Sequence, residues 1–190
     1  MHPYIKVGAS MYDLSRMRQS VGTIGSLSEF TRQCFHGRES IMGKKILIVE
    51  DEFLVALNLS RTLSSLGYET ISIAPDAKTA FQLATAFPDF AFVDVNLRDG
   101  ETGPTIGKTL AQEFGATVLF LTANPASLGN GVDGTLGCIS KPVDEIQVET
   151  ALEFLVDYQN GKKVTPPPAI RVFANENTHA LPDAAQREQR

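Results

Sequence analysis

No apolar run in this 190-residue chain approaches the roughly 18 residues that a membrane-spanning helix needs, so no membrane partner is expected. The N-terminus has no compact apolar stretch followed by a small-residue cleavage site, so no secretory signal is expected either. Cysteine is scarce. Cys34 and Cys138 stand far apart without metal-ligand spacing and read as free thiols of a reducing cytoplasm. No glycine-rich turn follows the first strand-like run, which argues against a dinucleotide binder. Charge excludes a further class. Residues 42–160 carry seven Lys and Arg against sixteen Asp and Glu, while each flank carries five against three. That acidic centre suits cations and basic protein surfaces and predicts no nucleic-acid partner.

What is present is an alternation of apolar runs and amphipathic stretches. Lys45–Val49 reads as a first strand, followed by helical spacing of Ala56, Leu57, Leu59, Leu63 and Leu66 up to a stop at Gly67. Glu69–Ala74 is a second strand, and Pro75-Asp76 opens a helix through Ala86. Phe90–Val93 is a continuous apolar run ending in Asp94, the pattern of a parallel strand buried on both faces. Thr105–Phe114 is helical, and Ala116–Leu121 is a fourth strand ending at Thr122. Four glycines between 129 and 137 weaken any helix there, so one short turn and a loop are expected. Leu136–Ser140 is a short fifth strand stopped by Lys141-Pro142. Val143–Tyr158 is a last helix with Ile146, Val148, Leu152 and Leu155 as its apolar side. Five strands alternating with five helices predict an α/β, doubly wound parallel sheet covered on both faces. The organisation is a flexible segment over 1–42, one domain over 43–159 and a disordered tail over 160–190. Leu27–Phe35 is a candidate short helix, and Met42 is a candidate start of translation.

In such a sheet, ligands bind beyond the carboxyl ends of the strands. Those ends bring Glu50, Asp51, Asp94, Thr122 and Lys141 to one rim. Three carboxylates together are unfavourable without compensation, and a hard divalent cation supplies it. Mg²⁺ prefers one or two carboxylates with waters and a phosphoryl oxygen. That leaves one carboxylate as a nucleophile able to attack phosphorus and form an acyl phosphate. Lys141 would supply a point charge to the transferring group, and the Thr122 hydroxyl a hydrogen bond. The Lys141-Pro142 bond is one where a cis peptide lies only about 0.5–1 kcal/mol above trans, able to aim the lysine inward.

These pieces resemble the receiver domain of two-component response regulators, over residues 44–159. The matching stretches are Ile46-Leu47-Ile48-Val49-Glu50-Asp51-Glu52, Phe92-Val93-Asp94-Val95-Asn96-Leu97, Leu119-Phe120-Leu121-Thr122-Ala123 and Ser140-Lys141-Pro142. The resemblance implies a flavodoxin-like (CheY-like) five-stranded sheet in the order 2-1-3-4-5. It implies Asp94 as phosphoacceptor, Glu50 and Asp51 as the acid pair for Mg²⁺, and Asn96 as the residue whose backbone carbonyl joins the metal. Thr122 and Lys141 match the switch hydroxyl and the phosphate-contacting lysine. A histidine kinase or phosphotransfer protein is the implied donor, in the cytoplasm.

The chain departs from that pattern at three places. Leu97-Arg98 stands where Met-Pro is frequent, Cys138 stands where a switch aromatic is usual, and the glycines of 129–137 weaken the fourth helix. Cys138 reads as a small packing residue, and activation is expected to act by ordering 123–137. The tail is too short and polar for a DNA-binding fold, so output is expected through protein contact or as a phosphate carrier or sink. The chain is expected to catalyse only its own phosphorylation and dephosphorylation. The alternatives are a degenerate receiver that only binds partners, and a phosphohydrolase with an aspartyl nucleophile. Against the latter, Asp94-Val95-Asn96 lies on the third strand and no cap domain is present.

Overall fold

The computed structural model describes residues 43–174 in full and residues 4–7 and 10–13 as backbone. Those two short stretches belong to a separate unit spanning Met1–Ser40. They form β1 (Tyr4–Val7) and β2 (Ser10–Asp13), an antiparallel ladder with Tyr4 opposite Asp13 and Val7 opposite Ser10. The segment expected to be flexible therefore contains a ladder that no sequence period announced. Cys34 and the candidate helix at 27–35 lie outside the described residues.

In the second unit, β3 (Lys45–Val49), β4 (Glu69–Ala74), β5 (Phe90–Asp94), β6 (Thr117–Thr122) and β7 (Gly137–Ser140) form a parallel sheet. The order is β4-β3-β5-β6-β7, followed by an antiparallel β8 (Ile170–Val172) on the β7 edge. Four helices cover it: α1 (Phe53–Ser65), α2 (Ala77–Ala84), α3 (Gly103–Phe114) and α4 (Glu145–Gln159). None is long and apolar enough to cross a membrane.

Side chains along a strand point alternately to the two faces, and two cores result. Ile46, Ile48, Phe90, Phe92, Leu119 and Leu121 pack against α1 and α4. Their neighbours Leu47, Val49, Ala91, Val93, Val118 and Phe120 pack against α2 and α3. Apolar residues at every position of β5 are thus the direct result of burial on both sides. A polar clasp closes the amino end of the sheet. Asp89 accepts hydrogen bonds from Lys44 Nζ and Lys45 N, each at 2.9 Å, and Gln159 Nε2 donates to Thr117 Oγ1 at 3.1 Å.

As the glycines of 129–137 lead one to expect, the fourth helix is reduced to a single 3-10 turn, Pro125–Leu128, followed by Gly129 and Gly131 with positive φ. Segment 123–137 is nevertheless hydrogen-bonded along its length, through Ser127 N to Asn124 O, Gly131 N to Leu128 O and Thr135 N to Val132 O. Ile146 is 73% exposed rather than part of the core face of α4. It stands two residues from Val148, about 200° away around a helix of 3.6 residues per turn, so both cannot face inward. The tail expected to be disordered from 160 is structured through residue 174. Ile170 and Phe173 are buried there, one in each of the two cores. Residues 175–190 lie outside the described part.

Candidate functional site

Each predicted rim residue ends a strand or follows its carboxyl end. Glu50 follows β3 and its amide donates to Ala74 O of β4 at 2.9 Å, which carries it into the sheet. Asp94 ends the central β5, Thr122 ends β6 and Lys141 follows β7. Parallel pairing of β5 and β6 sets Asp94 opposite Leu121, and pairing of β6 and β7 sets Thr122 opposite Ser140. Sequence spacing alone cannot supply this register.

The centre is a buried cation–carboxylate cluster. Lys141 Nζ donates to Asp94 Oδ2 and to Glu50 Oε2, each at 2.7 Å. The Glu50 and Asp94 side chains are 1% and 9% exposed, against 21% for Lys141. One carboxylate oxygen from each of Glu50, Asp51 and Asp94 lies within 4.8 Å of the others. Three carboxylates against one ammonium leave an excess of negative charge, and hard oxygen donors suit Mg²⁺. The residues present therefore fit the ion that the sequence calls for.

The surrounding backbone orients the donors. Glu52 N donates to Glu50 Oε1 at 3.1 Å, and Asn96 N donates to Asp94 Oδ1 at 3.3 Å. Asn124 N donates to the wholly buried Thr122 hydroxyl oxygen at 3.1 Å. The Lys141–Pro142 peptide is cis. Burial pushes the Glu50 carboxyl above its ordinary value, against the opposing pull of the Lys141 hydrogen bond. Burial also lowers Lys141, but its bonds to Asp94 and Glu50 outweigh that and leave the ammonium raised.

One contributor escaped sequence analysis. Gly103 opens α3, and its amide donates to Val95 O at 3.2 Å. A Cβ there would overlap the carbonyl oxygen of Asp94 and crowd Val95. The loop after Asp94 can close onto the strand only with glycine at 103. The sole sequence signal is Gly103-Pro104 at a helix start, and it does not tell which backbone is approached.

Comparison with known proteins identifies the family and the fold. The response regulator receiver domain family matches residues 46–153. The phyllosphere-induced regulator PhyR of Methylorubrum extorquens is 34% identical over 132 residues, covering 67% of this chain and 49% of the relative. The match thus spans about half the length of that curated relative. The solution structure of the PhyR receiver domain from Erythrobacter litoralis is 26% identical with a TM-score of 0.59, covering 66% of this chain and 99% of that one. The crystal structure of the anti-anti-sigma factor PhyR from Bartonella quintana shares the fold. It is 21% identical with a TM-score of 0.58, over 69% of this chain and 54% of that one.

Proposed function

The chain belongs to the response regulator receiver domain family, and from that premise we propose that Asp94 is its phosphoacceptor. A histidine kinase or a phosphotransfer protein is the proposed donor, and the signal passes on by protein contact or by phosphate transfer. The observation that carries this proposal is Asp94 nearly buried at the end of the central strand, with the Lys141 ammonium 2.7 Å from its carboxylate. A carboxylate oxygen attacks phosphorus, the bond from phosphorus to the donor atom breaks, and the electron pair leaves with the donor. Lys141 then faces an acyl phosphate and neutralises part of its charge. The Thr122 hydroxyl, already accepting from Asn124 N, retains its own proton to donate.

Glu50, Asp51, Asp94 and the Asn96 carbonyl are the proposed holders of Mg²⁺, which supplies charge neutralisation at the transferring phosphoryl group when bound. The protein is proposed to work as a cytoplasmic switch and not by turnover of a free substrate. A protein partner is supported by the exposed Phe53 and Leu54 of α1 and Ile146 of α4. They adjoin in sequence the residues lining a groove between those helices, among them Val55, Leu59, Val143 and Val148.

Intact mass tests the proposal. Incubation with Mg²⁺ and acetyl phosphate should add about 80 Da, the mass of one phosphoryl group, and hydroxylamine should remove it. Chelation of Mg²⁺ should abolish the addition. An Asp94→Ala protein modified to the same extent would overturn the assignment. Sustained release of phosphate from p-nitrophenyl phosphate would favour a phosphohydrolase instead.

A further inference from the structure

The last described strand lies at the edge of the sheet and reaches both cores. β8 has only three residues and pairs antiparallel with the outer edge of β7, Cys138 opposite Arg171. Ile170 packs into the core beneath α1 and α4, and Phe173 into the opposite one. Phe173 is buried, its ring 6.2 Å from that of Phe120, and its amide donates to Leu136 O at 3.0 Å. The guanidinium of Arg171 lies over its ring, 5.3 Å from the centroid. On this face no helix follows β6. Leu128 of the 3-10 turn and Phe173 supply the cover that the small, buried Cys138 cannot.

A continuous set of contacts joins this aromatic to the site. Thr122 lies two residues beyond Phe120 on β6, so both side chains leave the same face. The Thr122 hydroxyl accepts from Asn124 N, and Asn124 caps the turn that ends in Leu128. Leu128 O accepts from Gly131 N at 2.8 Å. Gly131 has φ of +117° and lies against the Phe173 ring so closely that a Cβ would overlap it. Hydroxyl, turn, glycine and ring form one mechanical path of few residues.

We propose that β8 is a displaceable strap whose release reports the state of Asp94, with Phe173 as the positioning residue that latches it. The proposal rests on the phosphoacceptor reading above. A phosphoryl group that takes the Thr122 hydroxyl proton as a hydrogen bond draws in Thr122 and Asn124. The turn and Gly131 follow, and the seat of Phe173 is lost. Once its aromatic is free, the three-residue ladder keeps one apolar anchor, Ile170 on the other face. Release leaves the backbone of Gly137–Ile139 unpaired at a sheet edge, a template for an extended segment of a protein partner.

Amide hydrogen exchange on the full chain, read on peptides covering 130–140 and 166–174, tests the strap with Mg²⁺ and with Mg²⁺ plus beryllofluoride as the phosphoryl mimic. Exchange in 137–139 and 170–173 should accelerate at least about tenfold with the mimic, while β3 and β5 stay protected. Phe173→Ala should exchange fast there with or without the mimic. Phe173→Leu, which keeps an apolar latch, should restore slow exchange and its response to the mimic. Intact mass after acetyl phosphate is measured on the same samples. A chain that takes the phosphoryl group on Asp94 but leaves 170–173 equally protected overturns the strap alone. A chain that takes none overturns the phosphoacceptor reading and the strap with it. Should Phe173→Ala fail to fold, the native chain and Phe173→Leu decide the matter.

Discussion

Lys141 Nζ lies 2.7 Å from Asp94 Oδ2, a contact between residues 47 positions apart in sequence. The same nitrogen is 2.7 Å from Glu50 Oε2. One ammonium therefore holds together two buried carboxylates that would otherwise repel each other. The resting site is assembled around this lysine.

Replacing Lys141 by Met removes that compensation while keeping the length of the stem. The protein should lose about 1–3 kcal/mol in the absence of metal, discounted for the partial exposure of the lysine. Mg²⁺ should restore more stability to Lys141→Met than it adds to the native chain, because no internal cation competes with it. Urea unfolding with and without Mg²⁺ measures both effects. Equal stability of the two proteins without metal would show that the lysine does not offset the carboxylates.

Glu50 gives the site a pH dependence. Burial raises its carboxyl above the ordinary 4.5, so folding favours the protonated form. The stability due to that preference is complete below 4.5 and is lost as pH rises through the folded value. Mg²⁺ needs the carboxylate, so its affinity should rise with pH across the same window, above 4.5. Mg²⁺ titrations from pH 4.5 to 8 should show that rise, and Glu50→Gln should lack its Glu50 component. A flat profile in the native chain refutes the assignment.

Asp51 and Glu50 should differ as ligands. Both Glu50 oxygens are engaged, one by Glu52 N and the other by Lys141 Nζ. Among the described residues no hydrogen bond or ion pair is found on the Asp51 carboxylate, and it is the most solvent-accessible of the three. Asp51→Asn should therefore weaken Mg²⁺ binding by about tenfold, and Glu50→Gln by less. Isothermal titration ranks them, and the reverse order would reverse their roles.

Gly103→Ala tests the loop behind the phosphoacceptor. The added methyl meets the Asp94 carbonyl and the Val95 backbone, neither of which can rotate away. A loss of about 1–3 kcal/mol is expected from overpacking, together with slower modification of Asp94 by acetyl phosphate. Thermal unfolding and the rate of the 80 Da addition check it. Unchanged values for both would mean that the loop yields without moving Asp94.

Most of the architecture was legible because its signals are local. An apolar run such as Phe90–Val93 is confined to a strand buried on both faces, and each rim residue directly follows such a run. Strand ends converge in any parallel sheet, so Asp94, Thr122 and Lys141 could be grouped before their distances were known. β1 and β2 gave no such signal, being four residues each with no period to read. Ile146 was misassigned because an apolar residue in the first turn of a helix need not share the face of its neighbours.

The sequence by itself determined which residue types reach the rim and that they suit phosphoryl chemistry with a hard cation. Only the tertiary structure decided that Lys141 bridges Glu50 and Asp94, that Gly103 abuts the Asp94 carbonyl, and that Phe173 covers the face beside Phe120. The physical reason is the range of the forces involved. Strand and helix preferences act within a few residues. Ion pairs, close backbone approaches and ring contacts depend on distances between segments that the chain brings together only after the sheet has formed.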